Sequence, residues 1–331
     1  MRDATIEVVK EVINHPNADR LDICTVLGYK CITKRDQFKV GDKVIYVRPD
    51  SVFPDSEWAQ EYKKYSQKRV KAVKLRDIWS EGIIIPFTAL PKEISETIKD
   101  YHVGEDVSEL LWISHYEPPT PTDISIKGEL PYGIPVTDEE RWENLDNSEL
   151  PYGELVDIFL KIDGQSNSFY RHFVEKTFGV LGRKHELKLE ISNNYTNNVS
   201  RYDIERKLTE FSEKYRISLS IRGESYGIGI QSIKINPHSK LSNGWAMFSV
   251  YLIDERRYAR KGDQFYFLNV AKEMDLPTVK LVEENVILTP DLIKKYSEDL
   301  KELYGKPFEG VVVQYSKGSF KIINKHYDSN K

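Results

Sequence analysis

The stretch 157-DIFLKIDGQSNSFY-170 decides how this chain reads. An apolar run suited to a buried strand ends at Lys161, and Asp163 and Gly164 follow before the pattern turns polar. Strand side chains alternate faces, so Asp157, Phe159, Lys161 and Asp163 share one side as far as the extended geometry persists. Two readings of the lysine and the aspartate stay open from this stretch alone. One is a surface ion pair at a strand end, which is worth little. The other is a nucleophile beside an acid. A lysine amine attacks only after losing its proton, and water disfavours that because the unperturbed pKa is about 10.4. Partial burial or a neighbouring cation lowers it.

Outward from that stretch, 331 residues exceed what one core usually organises, and two domains are expected. With 40% hydrophobic and 30% charged residues the composition is that of a globular protein rather than a disordered one. No apolar run has the length to span a bilayer, and the start, MRDATIEVVKEVINHP, lacks the apolar core and cleavage site of a signal peptide. The expectation is an intracellular protein, cytoplasmic or nuclear, without a membrane partner and with no obligate protein partner evident. Cys24 and Cys31 are too few for a zinc site and read as buried thiols. A net charge of −4 means that any nucleic-acid contact comes from local patches.

Residues 1–115 read as short strands broken by turns, in LDICTVLGYKCITK, GDKVIYV, RVKAVKLR and GIIIPF, which suggests a small β-barrel. The proline-rich segment 116–136 reads as a stiff linker. In 137–331, TDEERWENL reads as a helix start, with Thr137 and Glu140 as a capping box. Strands are expected in ELVDIFLKI, FGVLGRK, SLSIRGES, WAMFSVYLID and GVVVQY. Helices are expected in SRYDIERKLTEFSEKY and TPDLIKKYSEDLKELYG. This is an α+β pattern built on antiparallel sheets, with no internal repeat.

Four further residues flank these strands: Glu224 in SIRGES, Phe248 in the middle of WAMFSVYLID, Glu309 before GVVVQY, and Lys321 in GSFKIINKHY. Taken singly, each has an ordinary explanation, since a strand-end carboxylate is usually solvated and a strand aromatic is usually core. In order, however, K-x-D-G, G-E, an F-centred strand, E-G-V-V-V and F-K-I-I-N resemble the covalent nucleotidyltransferase superfamily of ATP-dependent ligases and capping enzymes. The chain is most similar to the RNA ligases with an N-terminal OB domain, the Naegleria and Deinococcus type. The resemblance extends through EPPTPT…GELP, TDEERWENL, GRKHEL and the N-terminal FKVGDKVIYV.

That resemblance implies an OB-fold domain followed by a mixed α/β nucleotidyltransferase domain, with ATP as substrate and Mg2+ or Mn2+ as cofactor. It implies that Lys161 takes AMP, that Asp163 and Glu309 hold the metal, and that this cation favours the neutral amine. It further implies that Glu224 contacts ribose, Phe248 stacks on adenine and Lys321 reaches the α-phosphate. Arg183 would touch nucleotide or a nucleic-acid end, and Arg141 the outgoing phosphates. The partner implied is RNA, as nicked duplex RNA or an RNA/DNA hybrid, sealed at a 3′-hydroxyl/5′-phosphate break. The chain departs from the family pattern at Ser249, where an aspartate often stands, and at Ile323, where many ligases have a second lysine; Lys325 is a candidate substitute. Ser166 stands where DNA ligases and capping enzymes generally have arginine, which favours RNA ligase over those two alternatives.

HPNADRLDICTV, beginning at His15, resembles the start of tRNA-binding OB modules, and OB barrels commonly hold oligonucleotides on one face. KRVKAVKLR offers Lys68, Arg69, Lys71, Lys74 and Arg76 either as a phosphate-tracking strand or as a basic edge strand that discourages aggregation. From another functional class, a non-catalytic RNA-binding protein with a decayed second domain is the rival. Five retained charged positions, Lys161, Asp163, Glu224, Glu309 and Lys321, weigh against it.

Overall fold

The computed structural model describes residues 2–66, 68–116, 125–136, 139–146 and 148–330. Contacts divide the chain into two units, 1–120 with 142–150, and 121–141 with 151–331. The expectation of one uninterrupted second domain from 137 onward is thereby corrected. Segment 142–150 belongs with the first unit because its backbone is held there. Gly28 N donates to Glu143 O at 2.9 Å, and Tyr29 Oη and Arg48 Nε both donate to Asn144 Oδ1, at 2.8 and 3.2 Å. A Cβ on residue 28 would lie 2.9 Å from Glu143 Cα and O, so only glycine admits this approach.

The first unit is built from short antiparallel strands. Ala4–Val8, Lys43–Val47 and Ile83–Ile85 form one sheet, and Glu11–Asn14, Leu21–Val26 and Tyr29–Lys34 another. Ile6, Ile45, Val47 and Ile85 fill one part of its interior, and Val26, Tyr29, Cys31 and Tyr46 another. Cys24 and Cys31 face each other across paired strands as buried free thiols. Burial pushes both thiols above their usual range.

The second unit carries two antiparallel sheets. The larger has seven strands in the order Ile126–Glu129, His185–Leu187, Phe178–Leu181, Gln165–Arg171, Leu219–Tyr226, Gly244–Leu252 and Arg257–Tyr258. The smaller runs Leu281–Ile287, Leu155–Lys161, Gly310–Gln314 and Ser319–Ile323. Phe159 from the small sheet joins Phe169, Ile221, Trp245 and Val250 from the large one, and helix Phe267–Glu273, in one apolar core. The strand at 155–161 is central, and residues 156–159 are buried without a break, as a strand covered on both faces requires.

Three local expectations change. The helix expected over 200–215 is two, Asn197–Tyr202 and Ile204–Tyr215, broken where Asp203 adopts φ +53°, a left-handed state that Asp tolerates. The helix expected from Thr289 runs only through Pro290–Lys294 and one wider turn to Asp299; Leu303 and Lys306 then pair across a hairpin whose turn residues Tyr304 and Gly305 are left-handed. Thr137 lies outside the described residues. Residues 139–141 beyond it are not helical but lie alongside strand 319–323, and of the expected helix only a 3-10 turn at Trp142–Asn144 forms among the described residues. Arg141 bridges Lys321 in parallel, and Lys321 N donates to Glu140 O at 2.7 Å. The unpaired edge of that strand takes up the backbone groups that a helix would have used internally.

Thr289 Oγ1 accepts the Leu292 amide at 3.1 Å with Pro290 at the first helical position. Thr289→Ala is expected to cost about 1 kcal/mol, read as a lowered denaturation midpoint at unchanged slope. No helix among the described residues is long and apolar enough to cross a membrane.

Candidate active site

The K-x-D-G stretch is the crossing between the two sheets of the second unit. The small sheet's central strand ends at Lys161, and the large sheet's strand 165–171 begins one residue after Gly164. The alternation expected to carry through Asp163 therefore stops at Lys161. Asp157 has a different role, since its Oδ1 accepts from Lys261 Nζ at 2.6 Å and from Asn285 N at 2.9 Å.

Register explains which side chains meet. Lys161 lies opposite Gly310, and Phe159 opposite Val312, which in turn lies opposite Lys321. Directly paired residues share a face, so Lys161 and Lys321 project from the same side of the small sheet, the side on which Phe159 enters the core. Glu309 precedes Gly310, and Lys161 Nζ donates to its Oε2 at 2.6 Å. The lysine side chain is 26% exposed and the glutamate 11%. This is a half-buried pair, not the solvated strand-end pair that the sequence left open.

Asp163 is 4% exposed. Its Oδ2 accepts from Tyr327 Oη at 2.8 Å, and its main-chain oxygen accepts from Asn236 Nδ2 at 2.9 Å. Burial, then the charges of Asp163 and Glu309, push the Tyr327 phenol well above its usual range, so both carboxylates act on the same hydroxyl. His238 is held below its usual range by burial, against the pull of the Glu309 charge and with the help of Lys306.

From the large sheet, Glu224 pairs in register with Ser166 and Ala246. A Cβ at Gly164 would lie 2.3 Å from Ser225 O and 2.8 Å from Glu224 Cγ, so the crossing presses directly on the Glu224 strand. Burial, with the Glu224 charge added, pushes the Tyr195 phenol up to about 12. Phe248 is the extra residue of a β-bulge: Arg222 pairs with Ser249 and Gly223 with Met247. Bulges re-aim a side chain. The Phe248 ring packs at the edge of the core while its main-chain oxygen accepts from Gln314 Nε2 of the small sheet at 3.1 Å.

Arg141 is buried alongside Lys321, and Arg183 is half-buried in the turn between strands 178–181 and 185–187. Lys325, considered as a second basic contact, is 3% exposed with Nζ donating to Glu298 Oε1 at 2.9 Å, and Ile323 is buried. That lysine is a structural anchor. Asn236 and Tyr327 escaped the sequence reading. Their signals, a polar turn in INPH and one aromatic six residues past Lys321, are too ordinary to single out.

In the first unit the basic stretch splits. Arg69 is engaged by Asp50 and its guanidinium lies over the Tyr116 ring, because residues 50–51 and 70 exchange backbone hydrogen bonds. It is not part of an exposed phosphate-tracking strand. Only Val73–Leu75 is strand, paired with Ile78–Ser80. Lys68, Lys74 and Arg76 are exposed and Lys71 is half-buried. The HPNA turn clips this hairpin. His15 Nε2 lies 3.2 Å from Leu75 O while its Nδ1 accepts from Asn17 N at 3.1 Å, and Asn17 Nδ2 donates to Arg76 O at 3.0 Å. A carbonyl only accepts and an amide N–H only donates, so His15 is the neutral tautomer protonated at Nε2.

Comparison with known proteins places this geometry. An OB-fold domain profile matches residues 3–87. A Naegleria gruberi RNA ligase solved with pyrophosphate superposes at a TM-score of 0.82, with 26% identity over 99% of this chain and 98% of that one. A variant of the Naegleria gruberi RNA ligase solved with ATP and manganese gives 0.83, with 25% identity over 99% and 98%. An apo variant gives 0.83, with 26% identity over 100% and 99%. Among curated proteins no relative matches significantly. An RNA ligase profile matches residues 156–325, more than half of the 331, from the strand that delivers Lys161 to the turn after Lys321, and the chain belongs to the RNA ligase family.

Proposed function

We propose that this protein is an ATP-dependent RNA ligase that seals 3′-hydroxyl/5′-phosphate breaks through a lysyl-AMP intermediate on Lys161. The observation that carries the reading is the half-buried Lys161–Glu309 contact of 2.6 Å on the sheet face shared with Lys321. Lys161 Nζ attacks the α-phosphorus of ATP. A P–N bond forms, the bond to the β-phosphate oxygen breaks, and pyrophosphate leaves. Glu309, already in hydrogen-bond contact, is positioned to take the amine proton. Lys321 supplies fixed positive charge to the phosphoryl oxygens as they gain electron density. Glu224 meets ribose, Phe248 adenine, and Arg183 and Arg141 the nucleotide and phosphate ends.

The RNA 5′-phosphate next attacks the same phosphorus, releasing Lys161 and giving an adenylylated end. The 3′-hydroxyl then displaces AMP as the phosphodiester forms. Two acids fit a divalent ion: among the described residues no cluster of three or more candidate ligands occurs, and Mg2+ or Mn2+ needs only one or two carboxylates when waters and phosphates complete its shell. Asp163 and Glu309 would hold it, and bound there it would neutralise phosphate charge and favour the unprotonated amine. In the first unit, Lys68, Lys71, Lys74 and Arg76 are the proposed contacts to the RNA backbone, with Arg69 withdrawn by Asp50.

The test is incubation with ATP labelled at the α-phosphate and Mn2+, denaturing electrophoresis, then a chase with nicked RNA, RNA/DNA and DNA duplexes. Label on the protein is expected to pass to the 5′-end of the nick and to leave as AMP while strands with an RNA 3′-hydroxyl are sealed, and a chelator should prevent it. Transfer from GTP instead, or sealing of DNA alone, contradicts the assignment. Glu309→Gln keeps the shape but neither accepts the amine proton nor offers a charge to the metal, and labelling is expected to slow by about a hundredfold or more.

A further inference from the structure

We propose that Tyr327 is a positioning residue that fixes the carboxylate of Asp163 against the lysine, and that the turn 324–327 sets both acids of the site at once; this rests on the ligase reading above. Asp163 is gripped from two sides by segments remote in sequence. Asn236, fully buried, donates from Nδ2 to the Asp163 main-chain oxygen at 2.9 Å and to Gln231 O at 3.1 Å, while its Oδ1 accepts from His238 N at 2.9 Å. The backbone of Asp163 is thereby fixed, and the motion left to the residue is rotation of its side chain. Tyr327 Oη, donating to Oδ2 at 2.8 Å, stops that rotation.

Tyr327 is itself immobilised. It is 1% exposed, and its amide donates to Asn324 Oδ1 at 3.1 Å. Asn324 Nδ2 in turn donates to Tyr296 O at 3.2 Å and Leu300 O at 2.7 Å. The neighbouring residues tighten the same anchor, with Lys325 Nζ on Glu298 Oε1 at 2.9 Å and the His326 ring 2.7 Å from Glu298 O. Asn324 N also donates to Glu309 O at 2.9 Å. One four-residue turn thus grips Glu309, the partner of Lys161, by its backbone and Asp163 by its carboxylate. A ligand group held by a locked supporting residue keeps the narrow geometry that transition-state stabilisation requires.

Tyr327→Phe tests this, because it deletes one oxygen and leaves the buried ring. Protein–AMP formation at saturating ATP is expected to fall about tenfold, the half-saturating ATP concentration to stay within twofold, and the half-saturating Mn2+ concentration to rise about fivefold. A second readout needs no turnover: Mn2+ binding followed by electron paramagnetic resonance with an ATP analogue carrying a methylene between the α- and β-phosphates, expected to weaken by the same factor. Asn324→Ala, which loosens the turn and retains the hydroxyl, should shift Mn2+ dependence in the same direction. Unchanged Mn2+ dependence and binding in Tyr327→Phe overturn the proposal, as does a loss of activity explained wholly by a lowered melting temperature. If wild-type protein takes no label, the ligase reading fails, and the Mn2+ binding comparison still decides the role of Tyr327.

Discussion

Lys161→Ala is expected to eliminate the covalent protein–AMP adduct, with labelling from ATP reduced by about four orders of magnitude or more, to background. The side chain has no understudy. Lys321 shares its sheet face but lies two residue positions along it, across the Gly310–Gln314 strand, and the other lysine considered near the site, Lys325, is turned to Glu298. Removal of Lys161 also strips Glu309 of its partner at 2.6 Å. Folding should survive, because the site is half-open at Lys161 and the apolar core begins two residues earlier, at Phe159. The variant should still seal a nick whose 5′-end is already adenylylated, since that step displaces AMP without a lysine nucleophile. Two assays on one preparation check this: labelling with ATP, which should vanish, and sealing of the pre-adenylylated substrate, which should persist. Retained labelling moves the nucleophile elsewhere.

Gly164→Ala should also damage adenylylation, to a smaller extent and for a purely steric reason. The added methyl would sit 2.3 Å from Ser225 O and 2.8 Å from Glu224 Cγ. The first contact is with backbone inside a seven-stranded sheet, which yields little, so the crossing that carries Lys161 and Asp163 must move. Overpacking of this kind costs about 1–3 kcal/mol of stability. Misplacing reacting groups by about 1 Å costs about a hundredfold in rate. The expected result is therefore a drop of about a hundredfold in protein–AMP formation with a melting temperature lowered by only a few degrees. Gly128→Ala, where the methyl meets nothing within 4 Å, is the control and should be silent in both measurements. Equal rates for Gly164→Ala and wild type would refute the claim that close packing of the crossing positions the nucleophile.

How much of this was legible in the sequence depended on the range of the interaction. The strands at 155–161, 219–226 and 310–314 follow from apolar runs and their polar borders. The order of K-x-D-G, Glu224, Phe248, Glu309 and Lys321 carried the resemblance from which the proposed site is read. What the sequence could not carry were facts settled by partners far away in the chain. Residues 139–141 look like a helix start until the open edge of strand 319–323 claims them. Asp157 looks like a companion of Lys161 until Lys261 takes it. Arg69 looks like a phosphate contact until Asp50 does. Tyr327 reaches Asp163 across 164 positions, a distance at which periodicity and spacing are silent. The bulge that sets Phe248 apart is likewise a property of two strands and not of either one.

The most direct test of the central claim is mass spectrometry of the protein after incubation with ATP and Mn2+, with peptide mapping of the adduct under conditions that preserve the phosphoramidate bond. The account predicts one added adenylyl group, on the peptide that contains Lys161, removed on addition of 5′-phosphorylated nicked RNA duplex. An adenylyl group on any other residue, or one that persists through the RNA chase, would contradict it.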